Sequence, residues 1–372
     1  MRIRAAVIEE KSGPFVHREV ELGSPRPDEL LVRIVAAGIC QTDLHARDQH
    51  YPVPLPLVAG HEGAGIVLEV GSSVEGFEVG DHVVLSYPSC GKCDCCRSAH
   101  PPYCEEGIPL CFGGARPDGS QALKWTEENP GPGELHGHFF AQSSFATHAI
   151  THLSNTVKVP RDLPLELLAP LGCGLQTGAG AVVNALKVRP GSSIAIFGTG
   201  TVGLAAVMAA KIAGASPIIA VDINPERLEL ARGLGATHTI NPLEESVAHW
   251  VARLTRTGVD YALEITARPE MLSLALEILA PLGVAALIGG APAGVEASLD
   301  MTTLLNGRTV RGIIEGDAVP QIFIPWMLEM HKQGRFPFDR LVRFYDFEEI
   351  NQAVEDVCSG RTVKAVLRMG KA

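Results

Sequence analysis

The sequence predicts an α/β protein that contains a doubly wound parallel sheet. Residues 192–215 combine a short apolar run, a glycine-rich turn and a longer apolar stretch of helical character. Further along, "VDYALEIT" and "VAALIGG" are short apolar runs of the kind found in buried parallel strands. The segment "MLSLALEILA" between them has helical periodicity. Strands that alternate with helices in this way form a parallel sheet with helices on both faces.

The length and composition of the chain limit the classes of function that it can have. A chain of 372 residues exceeds what one hydrophobic core usually serves, so we expect two domains. The formal charge of -11 argues against a nucleic-acid partner or an anionic membrane surface, since both require clustered Lys and Arg. The N-terminal apolar run has only four residues, too few for a signal peptide, and no apolar tract approaches the ~18 residues that cross a bilayer. We therefore expect a cytoplasmic protein without membrane contact.

Four cysteines in a short stretch predict a structural zinc site. Cys90, Cys93 and Cys96 recur at every third position, and Cys104 follows after a segment with two prolines. Four thiolates complete a closed tetrahedral site that leaves no position for water. Cys95 offers an alternative ligand, but Cys96 is preferred because it keeps the two-residue spacing. Simple reduced thiols would be the alternative, yet four exposed thiols at this spacing would be prone to oxidation.

A second set of candidate ligands is spread along the chain. Cys40 follows the strand-like "ELLVRIVAA", His61 opens "GHEGAGIVLEVG", and Cys173 lies in "APLGCGLQTGAG". Two cysteines and one histidine would leave zinc one open position for water or substrate. Taken singly, each is weak evidence, because a buried cysteine commonly acts as a small hydrophobe and a histidine is commonly satisfied in the core.

The glycine turn carries a dinucleotide fingerprint. Gly198, Gly200 and Gly203 stand in G-x-G-x-x-G register between strand and helix, where they let a helix N-terminus approach a pyrophosphate. An ordinary strand-to-helix turn is the alternative. Asp222 ends the next predicted strand, where a carboxylate accepts hydrogen bonds from the adenosine ribose and repels a 2'-phosphate, which favours NAD over NADP. Arg227 complicates this preference, because a guanidinium there could attract the phosphate.

These motifs together resemble the zinc-dependent medium-chain alcohol dehydrogenases. The resemblance rests on "GHEGAGIVLEVG", on Cys40 with Thr42 and Asp43 after it, on the four-cysteine stretch and on the fingerprint, and it runs from Arg2 to Leu367. It implies a GroES-like, β-rich catalytic domain made of residues 1–174 and 315–372. It also implies a Rossmann domain for NAD at residues 175–314.

The resemblance also implies roles for single residues. It implies two Zn2+ ions per subunit, a catalytic one on the Cys2His set and a structural one on the four cysteines, with Glu62 as a carboxylate that can approach the catalytic metal. It implies a proton relay from Thr42 through the cofactor ribose to His45, although His45 could simply be a surface histidine. Asp43 would orient a zinc-binding imidazole. Lys364 matches a basic position that contacts the pyrophosphate, and Arg227 matches a position that is often basic in NAD enzymes.

The substrate is inferred from several short stretches. "ARDQHYPVPLP", "CFGGARPDGS", "HFFAQSSFATHA" and "EGDAVPQIFIP" resemble the aryl-alcohol (benzyl alcohol) branch of the family. Phe139 and Phe140, with Tyr51, could form a flat apolar slot for an aromatic ring, or the two phenylalanines could belong to the core. Terpenoid allylic alcohols such as geraniol are one rival substrate. A hydroxymethyl thiol adduct of formaldehyde, bound through Arg116, is another.

Two other functional classes are disfavoured. A zinc-free reductase of the same fold would lack Cys40, Cys173 and the four-cysteine stretch. A zinc-bound module that reads nucleic acid would need more positive charge than this acidic chain has. We expect a small-molecule enzyme that assembles as a homodimer or homotetramer.

Overall fold

The computed structural model describes residues 1–370, which divide into two compact units. The first unit is built from three segments and the second from two. The first comprises Met1–Cys173, Val319–Pro325 and the chain from Leu341 onward, and the second comprises Gly174–Ala318 and Trp326–Arg340. The domain boundaries expected from the sequence differ from this division mainly over Trp326–Arg340, which the sequence assigns to the catalytic domain.

Seventeen strands occur within the described residues. They are β1 (Arg2–Ile8), β2 (Phe15–Leu22), β3 (Glu29–Gly38), β4 (Leu57–Val58), β5 (Gly63–Val70), β6 (His82–Leu85), β7 (Leu123–Trp125), β8 (His148–His152), β9 (Thr156–Lys158), β10 (Ile194–Phe197), β11 (Ile218–Val221), β12 (His238–Ile240), β13 (Val259–Glu264), β14 (Leu279–Leu287), β15 (Thr309–Gly312), β16 (Val342–Asp346) and β17 (Lys364–Arg368).

Twelve α-helices accompany them in the same part of the chain. They are α1 (Gln41–Arg47), α2 (Asp94–Arg97), α3 (Gly107–Phe112), α4 (Leu165–Leu168), α5 (Gly174–Gly180), α6 (Thr201–Ala213), α7 (Pro225–Leu234), α8 (Val247–Leu254), α9 (Pro269–Glu277), α10 (Met301–Leu304), α11 (Pro320–Lys332) and α12 (Ile350–Cys358). Short 3-10 turns lie at Pro101–Tyr103, Phe139–Ala141, Leu153–Asn155, Ala169–Gly172, Glu315–Asp317, Phe338–Leu341 and Phe347–Glu349, and a π-helical turn at Ala181–Ala185.

The second unit contains a six-stranded parallel sheet in the order β12-β11-β10-β13-β14-β15. Strands β10 and β11 are completely buried, as their unbroken apolar sequences predict. The strand order reverses at the β10 and β13 pair, the topological switch point at which such sheets bind ligands. The predicted α/β class with a doubly wound parallel sheet is confirmed.

The glycine turn at the end of β10 leads directly into α6. Gly198 has a φ of 93°, a left-handed conformation that favours glycine. A side chain at Gly203 would overlap the carbonyl oxygen of Gly198, so the first turn of α6 can pack against the loop only without one. The helix ends at Gly214 in the left-handed conformation common at helix C-termini.

The first unit holds two further sheets. One has the order β4-β1-β2-β7 and is antiparallel throughout. The other follows the path β16-β17-β3-β5-β6-β9, with β8 also paired to β3. Strand β3 is the longest strand and is buried along most of its length because it pairs with β5, β8 and β17. Its C-terminal end, and the start of β5, deliver the residues of the candidate active site.

No helix in residues 1–370 has the length and apolar character that a membrane span requires.

Candidate active site

The structure brings four predicted site residues together in the first unit. The ligand atoms of Cys40, His61, Glu62 and Cys173 all lie within 4.8 Å of one another. Cys40 caps the N-terminus of α1 just after β3, and His61 and Glu62 immediately precede β5. Cys173 follows the turn at Ala169–Gly172. Two soft sulfurs, one imidazole nitrogen and one carboxylate are a donor set that suits zinc.

Asp43 fixes the orientation of the His61 imidazole. Its Oδ1 atom lies 2.8 Å from His61 Nδ1 and accepts a hydrogen bond from the Gly60 backbone N–H at 3.1 Å. Its Oδ2 atom accepts from the backbone N–H of Cys40 at 3.0 Å. The other ring nitrogen of His61, Nε2, is buried and has no hydrogen-bond partner in the described residues. A zinc ion fits this arrangement, because a ligating histidine typically donates its second N–H to a carboxylate.

The electrostatics of the cluster also suit a cation. The adjacent Cys173 side chain, together with the nearby His61 imidazole, holds the pKa of the Cys40 thiol well below its ordinary value, against the effect of burial. Burial opposes charge on His61, yet the Asp43 carboxylate and Cys40 raise the pKa of the imidazole well above its ordinary value. The site therefore concentrates negative charge around a buried imidazole.

Glu62 is paired with Lys364. The Lys364 ammonium lies 2.6 Å from Glu62 Oε2 and donates to the Ile39 carbonyl at 2.9 Å, and both side chains are buried. Burial raises the pKa of Glu62 to about 7, although Lys364 opposes the shift. Burial disfavours the ammonium, but the attraction of Glu62 and Cys40 raises the pKa of Lys364. Lys364 thus acts as counter-ion to Glu62, and its expected contact with a pyrophosphate stays a prediction.

Aromatic side chains cover the cluster. The Phe140 ring lies 4.6 Å from the His61 imidazole at 33°, and the Phe139 ring lies 5.8 Å away nearly perpendicular to it. Phe112 contacts both phenylalanines, and Tyr51 packs against Phe112 at 5.5 Å. We call these four side chains, Tyr51, Phe112, Phe139 and Phe140, the aromatic wall. Phe139 and Phe140 are buried, so they also belong to the core of the unit.

The backbone beneath the aromatic wall is unusual. His138, Phe140, Ala141 and Ser143 all adopt left-handed conformations, with φ values of 53° to 54°. Non-glycine residues in this region cost of order 1–3 kcal/mol each and persist only where surrounding contacts impose them. Such strain is commonly found at ligand sites, which is consistent with a functional role for this turn.

Gln142 supplies some of those contacts. Its buried amide donates to the carbonyl oxygens of His61 at 2.9 Å and Ser86 at 3.0 Å, and its Oε1 accepts from Gly63 N–H at 3.1 Å. The side chain therefore links the turn of the aromatic wall to the peptide that carries His61. Gln142 and Phe112 are not among the site residues predicted from the sequence. A glutamine within the apolar stretch "HFFAQSSFA" is a sequence signal that could have identified Gln142. No local sequence feature sets Phe112 apart from other phenylalanines.

The predicted relay residues lie on α1. Thr42 Oγ1 is 3.9 Å from Cys40 Sγ, and His45 follows one helical turn later and is half-buried. The His45 ring lies 5.0 Å from Tyr51 and 5.3 Å from His50. Burial and the neighbouring His50 lower the pKa of His45, which Cys40 partly offsets. The imidazole is therefore neutral near pH 7 and able to accept a proton.

The four cysteines of the predicted structural site also converge. The sulfurs of Cys90, Cys93, Cys96 and Cys104 lie within 4.8 Å of one another, and Cys95 is not among them. Backbone N–H groups of Lys92 and Cys93 point at the Cys90 sulfur and lower its pKa to about 6. Four sulfurs with backbone donors around them fit a closed zinc site.

Five of the six predicted cofactor residues lie in the second unit, and the sixth, Lys364, lies on β17 in the first unit. Gly198 and Gly200 lie in the turn between β10 and α6, and Gly203 lies in the first turn of α6. Asp222 directly follows β11, and its Oδ2 accepts hydrogen bonds from Thr199 N–H at 2.6 Å and Thr199 Oγ1 at 2.8 Å. The carboxylate thereby holds the fingerprint turn in place.

Arg227 lies in the first turn of α7, two residues after the helix starts. Its Nε is buried without a hydrogen-bond partner in the part of the chain described. Contact of Arg227 or Asp222 with a cofactor remains a prediction.

Arg116 does not offer a free cation. Its guanidinium binds Glu29 through two hydrogen bonds of 2.6 and 2.7 Å, and both side chains are buried. Burial raises the pKa of Glu29, but Arg116 outweighs this effect and the net shift is downward. The role considered for Arg116, binding the carboxylate of a thiol adduct, is disfavoured because the guanidinium already has its carboxylate partner.

Comparison with known proteins places these features in a family. The model described as alcohol dehydrogenase GroES-like domain matches residues 26–161, and the model described as zinc-binding dehydrogenase matches residues 201–332. These matches confirm the predicted pair of domain types.

Relatives match over almost the whole chain. A geraniol dehydrogenase from Castellaniella defragrans is 45% identical over 98% of this chain and 97% of its own. The crystal structure of an alcohol dehydrogenase zinc-binding domain protein from Burkholderia ambifaria matches with a TM-score of 0.97 at 53% identity, over 100% of both chains. That of benzyl alcohol dehydrogenase from Acinetobacter calcoaceticus matches with a TM-score of 0.96 at 48% identity, again over 100% of both. Together with the two family models, these relatives show that the chain belongs to the zinc-dependent medium-chain alcohol dehydrogenases.

Proposed function

We propose that the chain is an NAD-dependent zinc alcohol dehydrogenase that oxidises benzyl-type primary alcohols to aldehydes, reversibly. The observation that carries this substrate class is the aromatic wall, whose Phe140 ring packs at 4.6 Å on the imidazole of the candidate zinc ligand His61. An aromatic alcohol could rest its ring on this wall while its CH2OH group reaches the cluster. Offset ring contacts would add ~0.5–1.5 kcal/mol beyond the burial of apolar area.

Cys40, His61 and Cys173 would hold the catalytic zinc, and Asp43 would keep His61 in the tautomer that presents Nε2. Bound zinc supplies Lewis acidity, which lowers the pKa of an alcohol hydroxyl. Glu62 is a fourth candidate donor, and Lys364 compensates its charge. Cys90, Cys93, Cys96 and Cys104 would hold a second, structural zinc.

Thr42 and His45 would remove the proton of the substrate hydroxyl. The Thr42 hydroxyl lies beside the Cys40 sulfur and can both accept and donate a hydrogen bond. His45 is half-buried and neutral near pH 7, which suits a general base. Tyr51 of the aromatic wall packs against the His45 ring at 5.0 Å and helps to hold it in place.

The second unit would bind the nicotinamide cofactor, which supplies the hydride acceptor. Gly200 has open space where a side chain would stand, so a pyrophosphate could approach the N-terminus of α6 there, while Gly203 lets the helix pack against the turn that carries Gly198. Asp222 would favour NAD by repelling a 2'-phosphate, and Arg227 is a further candidate for contact with the cofactor. The proposed contact of Lys364 with the pyrophosphate rests on the family resemblance alone, because its buried ammonium is engaged by Glu62 and the Ile39 carbonyl.

A geraniol-type allylic alcohol is the second candidate substrate. It is favoured by the 45% identity with a geraniol dehydrogenase, and it shares with benzyl alcohol an sp2 carbon next to CH2OH. A thiol adduct of formaldehyde is less well supported, because Arg116 is engaged with Glu29. We also propose a homodimer or homotetramer in the cytoplasm, for which light scattering after gel filtration would test the assembly.

Steady-state kinetics would test the substrate class. The zinc-loaded enzyme should show a kcat/KM for benzyl or cinnamyl alcohol roughly a hundredfold above that for ethanol, about 2.7 kcal/mol of discrimination. NAD+ should give a higher kcat/KM than NADP+. Higher efficiency with geraniol would favour the second candidate, and equal efficiency with ethanol would contradict a role for the aromatic wall.

The Phe140→Leu variant tests the role of the aromatic wall, with ethanol as the control substrate. Losing one ring contact of about 1 kcal/mol should lower the benzyl-to-ethanol ratio roughly fivefold. The same substitution should leave kcat/KM for ethanol within about twofold, since ethanol has no ring to stack.

A further inference from the structure

A second histidine lies directly against the predicted relay residue His45. His50 Nδ1 is 3.1 Å from His45 Nδ1, which is hydrogen-bonding distance for two ring nitrogens. Such a contact requires one nitrogen to carry a hydrogen and the other to accept it. The two imidazoles therefore share one proton between their Nδ1 atoms.

The backbone after α1 is shaped to make this contact. The His50 backbone N–H donates to the His45 carbonyl at 2.9 Å, which turns the chain back over the helix end. Gln49 adopts a left-handed φ of 56°, and its side-chain amide donates to the carbonyl oxygens of Ala46 and Val53. A strained non-glycine residue held by two side-chain hydrogen bonds fixes the position of the residue that follows it.

The surroundings of His45 and His50 differ in a way that favours movement of a proton from His45 to His50. His45 is half-buried, with Tyr51 against its ring, whereas His50 is exposed to solvent. Asp48 faces both imidazoles, but its carboxylate is engaged by the Arg47 guanidinium at 2.8 and 3.1 Å. Cys40, at the other end of α1, is the remaining charged group that acts on His45.

We propose that His50 accepts the substrate proton from His45 and releases it to bulk water. This inference rests on the proposed function, because it assumes that a proton leaves an alcohol through His45. His45 Nδ1 is engaged by His50, so Nε2 is the nitrogen that receives the incoming proton. As the Nε2–H bond forms, the Nδ1–H bond of His45 breaks and an Nδ1–H bond forms on His50. His50 then loses a proton from its exposed Nε2 to water.

The two rings return to their starting state by reversing tautomers. After transfer, His45 carries its hydrogen on Nε2 and His50 carries its hydrogen on Nδ1. Return of both hydrogens to the original nitrogens occurs by proton exchange with water, in which each ring loses its hydrogen at one nitrogen and gains one at the other, so no electron transfer or co-reactant is needed. His50 acts through His45 and is a positioning residue that also carries the proton.

Kinetics with the His50→Gln variant of the zinc-loaded enzyme would test this role. We expect kcat for benzyl alcohol oxidation to fall roughly threefold near neutral pH, with KM little changed, since general-base assistance is weakened rather than removed. The acid limb of the pH profile should move to higher pH, because the positive charge that disfavours protonated His45 is gone. Added HEPES should restore part of kcat as an external proton acceptor. His249→Gln, at an exposed histidine of α8, should change none of these values.

Histidine NMR would test the pair without turnover. In protein labelled at histidine side chains, the His45 signal should titrate in two steps, because its Nδ1 shares a hydrogen with a second imidazole at 3.1 Å. In His50→Gln the His45 signal should titrate in a single step, and in His249→Gln the coupling should persist.

The outcomes separate the two proposals. Wild-type protein that oxidises no alcohol overturns the proposed function and the relay with it. Active wild-type enzyme with an unchanged pH profile and no response to HEPES in His50→Gln overturns the relay alone. Independent single-step titration of His45 in the wild-type protein likewise overturns it.

Discussion

Acidification should destabilise the chain through one buried imidazole, that of His138. The side chain is only 9% exposed, and its Nε2 has no hydrogen-bond partner in residues 1–370. Burial lowers the pKa of His138 to about 4, and the Arg116 guanidinium acts in the same direction. Since the ordinary value is 6.5, the folded chain keeps this imidazole neutral at a pH where the unfolded chain protonates it.

The sign and size of the effect follow from proton linkage. Between pH 6.5 and about pH 4 the unfolded state binds more protons than the folded state, so the free energy of unfolding falls as the pH falls. Above pH 6.5 both states are neutral and the contribution is fully present. From about pH 7 to about pH 5, the shift corresponds to a loss of about 2 kcal/mol, at 1.36 kcal/mol per pKa unit.

Urea unfolding at the two pH values would measure this loss. We expect the wild-type protein to lose about 2 kcal/mol more than His138→Gln, since Gln does not titrate. The thiols, the carboxylates and the metal ligands titrate both in the wild-type protein and in His138→Gln, so their effects cancel in the comparison. His249→Gln, which removes an exposed histidine, should lose as much as the wild type. Equal losses in wild type and His138→Gln would refute the argument from burial.

Three further predictions concern the metal and cofactor sites. Cys93→Ser should lose one zinc by metal analysis and unfold at lower urea, whereas Cys95→Ser should keep both zincs; the opposite pattern would contradict the ligand assignment. Gln142→Leu should lower the free energy of unfolding by roughly 3 kcal/mol, because three buried backbone groups lose their partner, and a value below about 1 kcal/mol would contradict that reasoning. Asp222→Gly should raise the NADP+ to NAD+ ratio of kcat/KM roughly tenfold, and an unchanged ratio would remove Asp222 from cofactor choice.

Local sequence patterns were sufficient to predict the parallel sheet and its glycine turn. Gly198 and Gly203 are recognisable because each is required by its immediate neighbours in the chain. Gly198 adopts a left-handed φ, and Gly203 lets the helix pack closely on the turn that precedes it. The convergence of Cys90 with Cys104 was predictable for a similar reason, because both belong to one short stretch. Patterns of this kind predict interactions between residues that are close together in the sequence.

Contacts between distant segments were not predictable in this way. Lys364 lies on β17 and meets Glu62 only because β17 pairs with β3, whose end lies beside the start of β5. Gln142 reaches His61 because a left-handed turn points it there, and φ values of that kind leave no signature in "HFFAQSS". A polar residue in an apolar run is a signal for a buried hydrogen bond, but it does not identify the partner.

The two candidate metal sets differ in how their ligands are brought together, and this difference bears on their roles. The four cysteines come from a stretch of fifteen residues whose own backbone N–H groups point at the sulfur of Cys90. Metal bound there can organise a segment that is poor in apolar side chains. Cys40, His61 and Cys173 come from three separate parts of the first unit, and Asp43 and Gln142 hold the His61 segment before any metal arrives. We therefore expect zinc at the four cysteines to contribute to folding. Zinc at Cys40, His61 and Cys173 would instead depend on a fold that has already formed, so this second site need not stabilise the fold and can bind and release substrate.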